Sequence, residues 1–127
     1  MTLTECIQKA EDLLPGQPAA HGEMDARWQA IIAVSEFVQQ EPQQVWEFAR
    51  RWGAHQQDDL RTAIATCVLE HLLEHHFELL FPEVEAAACE DPRFLDTVRQ
   101  CWRMGRTTTP ENAKRLDALL KETKDAR

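Results

Sequence analysis

The sequence predicts an all-α fold. Apolar residues recur at spacings of three and four along most of the chain, and no convincing run alternates at two as a half-buried strand would. Four of the six prolines follow a residue that can open a helix or stand at its boundary, so they cut the chain into rods. At 127 residues, with 43% hydrophobic and 28% charged, there is material for one core; a second catalytic domain, a disordered chain and a membrane protein are all disfavoured.

Thr2 stands three residues before Glu5, the pattern of a capping box, and opens a helix over about residues 2–14 that carries Cys6, Ile7, Ala10, Leu13 and Leu14. Pro15-Gly16-Gln17-Pro18 ends it, and a loop passes through His21 and Gly22. Asp25 caps a second helix reaching about Gln40, with Trp28, Ile31, Ile32, Val34, Phe37 and Val38 inward. Pro42 begins its partner, with Val45, Trp46, Phe48, Ala49 and Trp52 inward, which stops at Gly53, read as a left-handed residue after the cations Arg50 and Arg51. The longest helix runs from about Asp59 to Leu80, and its wide apolar face predicts neighbours on both sides. Segments Pro82 to Cys89, Pro92 to Met104 and Pro110 to about Lys124 complete six to seven helices. Asp91 and Thr109 serve as caps and Gly105 as a second left-handed stop.

Two of these helices open alike. Asp25-Ala26-Arg27-Trp28 and Asp59-Leu60-Arg61-Thr62 each place an Arg two after an Asp, 34 residues apart, and Asp91-Pro92-Arg93 repeats the opening 32 residues on. With helix pairs between, this phrase over residues 25–104 resembles HEAT-like (armadillo-type) α-helical repeats. The resemblance implies a short right-handed α-solenoid-like stack of antiparallel helix pairs, with the Asp and Arg contributing to a polar ladder between units. Residues 1–24 would then form a capping helix and loop, and 105–127 a C-terminal helix, in a single domain over 1–127. The long fourth helix, the short Pro82 to Cys89 segment and the bare three units depart from the family pattern, and an ordinary bundle with repeated Asp caps stands beside it.

The sharpest local motif is His71-Leu72-Leu73-Glu74-His75, an H-x-x-E-H pattern of the kind used by zinc proteases. On one continuous helix His71, His75 and Glu78 project along one side, so two imidazoles and a carboxylate would meet one Zn²⁺, with Glu74 as general base. Only 52 residues follow His75, too few for the cleft such enzymes build. The alternative is a pair of boundary histidines beside the Ile64 and Val68 stripe, with Glu70, Glu74 and Glu78 on the opposite, solvated face. No Gly-rich phosphate loop occurs, Ser35 is the one serine, and Cys67 with His71 is the one thiol–imidazole pair at i,i+4. Nucleophilic catalysis is therefore disfavoured, and the chain reads as a non-enzyme without a cofactor. Cys6, Cys67, Cys89 and Cys101 form no C-x-x-C pair, and Met1 to Glu5 lacks the basic and apolar regions of a secretory signal, which together predict reduced thiols in a cytoplasm.

The formal net charge of −8 disfavours nucleic acid and anionic membranes as partners. It is unevenly placed: residues 58–91 sum to −8, and residues 92–127 to +4. Arg99, Arg103 and Arg106 recur as a basic ridge, the one feature that supports a nucleic-acid reading similar to that of DNA-alkylation-repeat proteins. The leading expectation is a binding protein for a basic partner, of an immunity or antitoxin-like kind. Its interface would use Glu70, Glu74, Glu78, Glu83 and Glu85, with Trp46 and Trp52, which lie six residues apart and so are not both expected inside. A metal-binding protein or zinc hydrolase centred on His71, His75 and Glu78 is the runner-up.

Overall fold

The capping box forms as the spacing predicts. The Thr2 hydroxyl accepts from the Glu5 amide at 3.2 Å, and the Glu5 carboxylate accepts from the Thr2 amide at 3.3 Å, closing the start of α1 (Leu3–Leu13). In this computed structural model, residues 1–16 and 25–125 are described; the expected Gln17-Pro18 half of the first turn and the loop through His21 and Gly22 lie outside them. Among the described residues every regular element is helical: α2 (Ala26–Ser35), α3 (Pro42–Trp52), α4 (Asp58–Ile64), α5 (Glu70–Glu90), α6 (Pro92–Arg99) and α7 (Pro110–Asp125). A π turn (Ala65–Leu69) joins α4 to α5 without a break, so the seven segments make six rods, with a 3₁₀ turn at Gly105–Thr108.

The Asp caps are real. Asp25 accepts from the Arg27 amide at 2.9 Å, and Asp91 from the Arg93 amide at 2.8 Å. Pro42, Pro92 and Pro110 each take the first helical position, where a missing N–H removes no bond. At Thr109 the expected cap differs, because its hydroxyl donates back to the Arg106 carbonyl.

Several boundaries move. Helix α2 ends at Ser35, not Gln40, and the Ser35 hydroxyl donates to the Ile32 carbonyl. Ile31, Val34 and Val38 are buried, whereas Ile32, about 100° round the helix from Ile31, is 39% exposed. Gly53 caps α3 with a right-handed φ of −69°; glycine is needed there for space, since a Cβ would stand 2.6 Å from the Ala49 carbonyl oxygen and 3.0 Å from the Phe94 ring. Helix α6 ends at Arg99, five residues before its expected stop, because the Trp102 amide is taken by the Glu70 carboxylate. Gly105 does adopt a left-handed φ of +52°, but it opens the 3₁₀ turn and does not close a helix.

The long rod shows the largest departure. A break was expected at Pro82, yet α5 continues through it, and the one non-helical residue is His76 at φ −135°, ψ 37°. Pro82 lacks the N–H that would bond the Glu78 carbonyl, and the segment carrying it starts afresh after His76. Upstream, the Thr62 and Thr66 hydroxyls donate to carbonyls four residues back, a contact that loosens helical geometry next to the π turn.

Helices α2, α4 and α6 pack side by side in chain order, α3 packs on α5, and α1 lies along α2. The Arg27 guanidinium (3% exposed) pairs with Asp25 and, across the helix boundary, with Asp59; Arg61 pairs with Asp58 and reaches Asp96 on α6 at 3.3 Å. Between these layers Trp46 meets the Phe94 ring edge-on, with centroids 5.7 Å apart, and Phe77 stacks on Phe81 at 4.6 Å. Arg115 of α7 lies over the Phe81 ring and closes that end of the core. No helix among the described residues is long and apolar enough to cross a membrane.

Candidate functional site

The acidic row of α5 faces the segment that follows α6. Glu70, expected in solvent, is buried, and its carboxylate accepts from the Trp102 amide at 3.1 Å. Gly105 crosses directly over Glu74: a Cβ on it would lie 2.7 Å from both Cγ and the carbonyl oxygen of Glu74. Glu78 accepts from the Arg106 guanidinium, with Nε at 2.8 Å, and from Asn112 at 3.2 Å. The Arg106 bond is the main reason its carboxyl sits well below the usual carboxylate range, at about 2. The i,i+4 glutamates thus meet the chain's own donors, which offsets the repulsion between them. Glu70 therefore offers nothing to a partner, and Glu74 and Glu78 are largely occupied.

The basic ridge is dispersed for the same reason. With α6 ending at Arg99, the three arginines no longer share a helix. Arg99 donates to the Leu120 carbonyl at 3.1 Å, Arg103 pairs with Asp117 at 2.6 Å, and Arg106 holds Glu78. A groove-lining row of cations of the sort nucleic acid would need is not formed by these three.

His71 is half-buried at the boundary, as the second reading had both histidines, whereas His75 is exposed; their side chains are 40% and 37% accessible. Both face one carboxylate oxygen of Glu74, His71 Nδ1 at 3.0 Å and His75 Nε2 at 3.5 Å, and Gln39 stands 3.4 Å from His75. The expected third ligand, Glu78, is not gathered with them: it lies beyond the kink at His76 and is turned to Arg106. Among the described residues no three His, Cys, Asp or Glu side chains converge on a point suited to a metal ion. Cys67, one turn before His71, is half-buried, and burial pushes its thiol up, away from nucleophilic use.

Trp46 and Trp52 are both buried, at 1% and 7% exposure, as the inward face of α3 has them and against the expectation that one of the two would stand partly exposed as an interface residue. Six residues place them about 120° apart round α3, and that helix is covered on two flanks. Phe94 meets Trp46 on one, while Ile7 and Glu11 of α1 line a cleft with Trp52 on the other. The exposed tryptophan is Trp102, at 74%, which the sequence reading placed inside a helix. Its only advance signal is the glycine three residues on, which marks a chain leaving helical geometry.

Glu83 and Glu85 remain exposed but point about 160° apart on α5, so they belong to different surfaces. Glu83 sits beside Gln43 of α3 at 3.4 Å. Farther along the same α3–α5 seam, Glu47, Glu90 and Asp91 line a cleft of about 360 Å³ together with Arg50 and Arg51. Comparison with protein-family models, with curated proteins and with solved structures gives no match, so the site rests on this chain's own residues.

Proposed function

We propose that this chain is a non-enzymatic protein-binding module that engages a basic partner, with an immunity or antitoxin-like inhibitor or regulator as its form. The observation that carries the reading is the seam between α3 and the second half of α5. Glu47, Glu83 and Glu90 are exposed along it without an ion-pair partner among the described residues, whereas the other acidic row is engaged internally. The interface in this reading is therefore Glu47, Glu83 and Glu90, with Glu85 on the far flank and Trp46 and Trp52 as buried supports. Unpaired carboxylates on a rigid pair of helices steer a cationic surface and set its register, which favours fast, salt-sensitive capture. The HEAT-like stacking of helix pairs belongs to the same reading: the Arg27–Asp59 and Arg61–Asp96 contacts support it, since each joins one helix of the α2, α4, α6 layer to the next.

The test is affinity capture from the native host with identification of the retained protein. Wild type should hold one basic protein in a salt-sensitive manner, and the triple variant Glu47→Lys, Glu83→Lys, Glu90→Lys should lose it with its helical circular dichroism unchanged. A control with Glu36→Lys and Glu111→Lys, exposed acids elsewhere, should keep it. Equal capture by all three proteins would refute the seam as the interface.

A further inference from the structure

The geometry points to a proton-operated clasp: His71 and His75 close on Glu74 when both rings are protonated, and so fasten the turn after α2 and the segment after α6 to the first half of α5. The two rings border a hollow of about 300 Å³ that Glu36 and Gln39, in the turn after α2, also line. On α5, Glu74 stands between them, with Gly105 crossing over it.

Donor counting carries the inference. A neutral imidazole has one N–H and one lone pair, whereas the protonated ring has an N–H on both nitrogens. Both nitrogens of His71 face carboxylates: Nδ1 stands 3.0 Å from Glu74 Oε1, and Nε2 stands 4.0 Å from Glu70 Oε2. Neutral His71 offers a proton to only one of them. His75 Nε2 stands 3.5 Å from the same Glu74 oxygen and 3.4 Å from Gln39 Nε2, so a neutral ring either donates to Glu74 or accepts from Gln39. With a proton on each ring, both donate to Glu74 and His71 turns its second N–H to Glu70. The Gln39 amide then turns over and presents its carbonyl oxygen to His75. Glu70 Oε1 holds the Trp102 amide at 3.1 Å, so the charge on His71 is felt in the segment after α6.

The surrounding charge favours the same state. Glu36 lines the hollow from the turn after α2, and Glu70 and Glu74 meet the rings from α5 itself. Cys67, on the π turn, has its thiol pushed up mainly by burial and stays neutral. The cations of the segment after α6 are engaged elsewhere, Arg103 by Asp117 and Arg106 by Glu78. His76 lies edge-on to His75 with ring centroids 6.4 Å apart, and among the described residues α3 and α6 place no acid within ion-pair distance of either ring. Two imidazolium charges therefore enter a ring of carboxylates. Folding then takes up protons, so stability rises as pH falls through the imidazole range, from about 8 to about 5, and the gain is lost above it. The loss through Glu78 belongs to a lower window, below 4.5.

Urea unfolding of the full chain at about pH 8 and about pH 5.5, wild type against the double variant His71→Gln, His75→Gln, tests the clasp. Between the two, the folded-to-unfolded ratio of wild type should rise by at least about threefold relative to the variant, the size that part-exposed ion pairs supply. Glu74→Gln, which keeps both rings, should abolish that rise, and His55→Gln should keep it. The Trp102 backbone amide gives a readout in the folded protein: its resonance should move over the same pH range in wild type and stay in place in His71→Gln. An equal pH response in wild type and double variant, a rise that survives Glu74→Gln, or a Trp102 amide that does not move in wild type would each overturn the proposal.

Discussion

The backbone N–H of Trp102 donates to the Glu70 carboxylate at 3.1 Å, joining the point where α6 ends to the start of α5. Helix α6 stops short because a buried acceptor on another rod takes the amide that would extend it. Glu70→Ala leaves that part-buried amide without its partner, and should lower stability by about 1–2 kcal/mol; Glu70→Gln, whose carbonyl still accepts, should lose clearly less. Urea unfolding at neutral pH measures both, with an unchanged m-value showing that the folded state is retained.

Acid should weaken the fold through Glu78. Its folded pKa of about 2 lies below its ordinary value of 4.5, chiefly because of the Arg106 hydrogen bond. A depressed carboxylate stabilises fully above its unfolded value, and the contribution fades as pH falls from 4.5 toward 2. The difference in unfolding free energy between wild type and Glu78→Gln should therefore be constant near neutrality and shrink across that window. A difference that stays flat down to pH 2 would separate Glu78 from the acid response.

Gly105→Ala should be far more damaging than Gly16→Ala. Its φ of +52° disfavours any Cβ, and the added carbon would meet the Glu74 backbone oxygen at 2.7 Å, an atom that cannot swing aside. The left-handed conformation alone costs about 1–2 kcal/mol, and the clash adds to it. Gly16→Ala, at 3.1 Å from one carbonyl with an ordinary φ, should cost much less in the same thermal melt.

Local chemistry was the legible part of this fold. The Thr2–Glu5 box, the Asp25 and Asp91 caps and the prolines at Pro42, Pro92 and Pro110 depend on atoms within four residues, so the sequence reveals them directly. What escaped were outcomes set by distant groups. The stop at Arg99 depends on Glu70, the burial of Trp52 on α1, and the dispersal of the arginines on Asp117, Glu78 and the Leu120 carbonyl. The kink at His76 is a further case: one non-helical residue separates Glu78 from the two histidines, and a helical wheel drawn through it joins residues that do not meet. The candidate site shifted with it, from Glu70, Glu74 and Glu78 to the α3–α5 seam.

The Arg27–Asp59 contact should behave as a coupled pair. Arg27 is almost wholly buried, while the Asp59 side chain is 37% exposed, so the cost of breaking the pair falls below that of a fully buried one. Arg27→Met should lose about 2–3 kcal/mol, and a double-mutant cycle with Asp59→Asn should return a coupling of about 0.5–3 kcal/mol. Arg51→Met, whose exposed guanidinium pairs with Glu11, should change stability by less than about 1 kcal/mol. Additivity in the Arg27 cycle would mean that the two helices are joined by packing and not by this pair.

The four thiols should separate by exposure under a disulfide-exchange reagent. Cys89 is exposed on α5, Cys6 is buried, and Cys67 and Cys101 are half-buried with thiols pushed up, mainly by burial. The thiolate is the attacking species, so raised values slow Cys67 and Cys101 even where reagent reaches them. Cys101 is further held by weak S–H contacts to the carbonyls of Ala65 and Thr97, one on the π turn and one on α6. Native protein should show one fast thiol that disappears in Cys89→Ser, with the others released only on unfolding. A second fast thiol that Cys101→Ser removes would place the opening between α6 and the π turn, and would predict that the Glu70–Trp102 bond breaks on the same timescale.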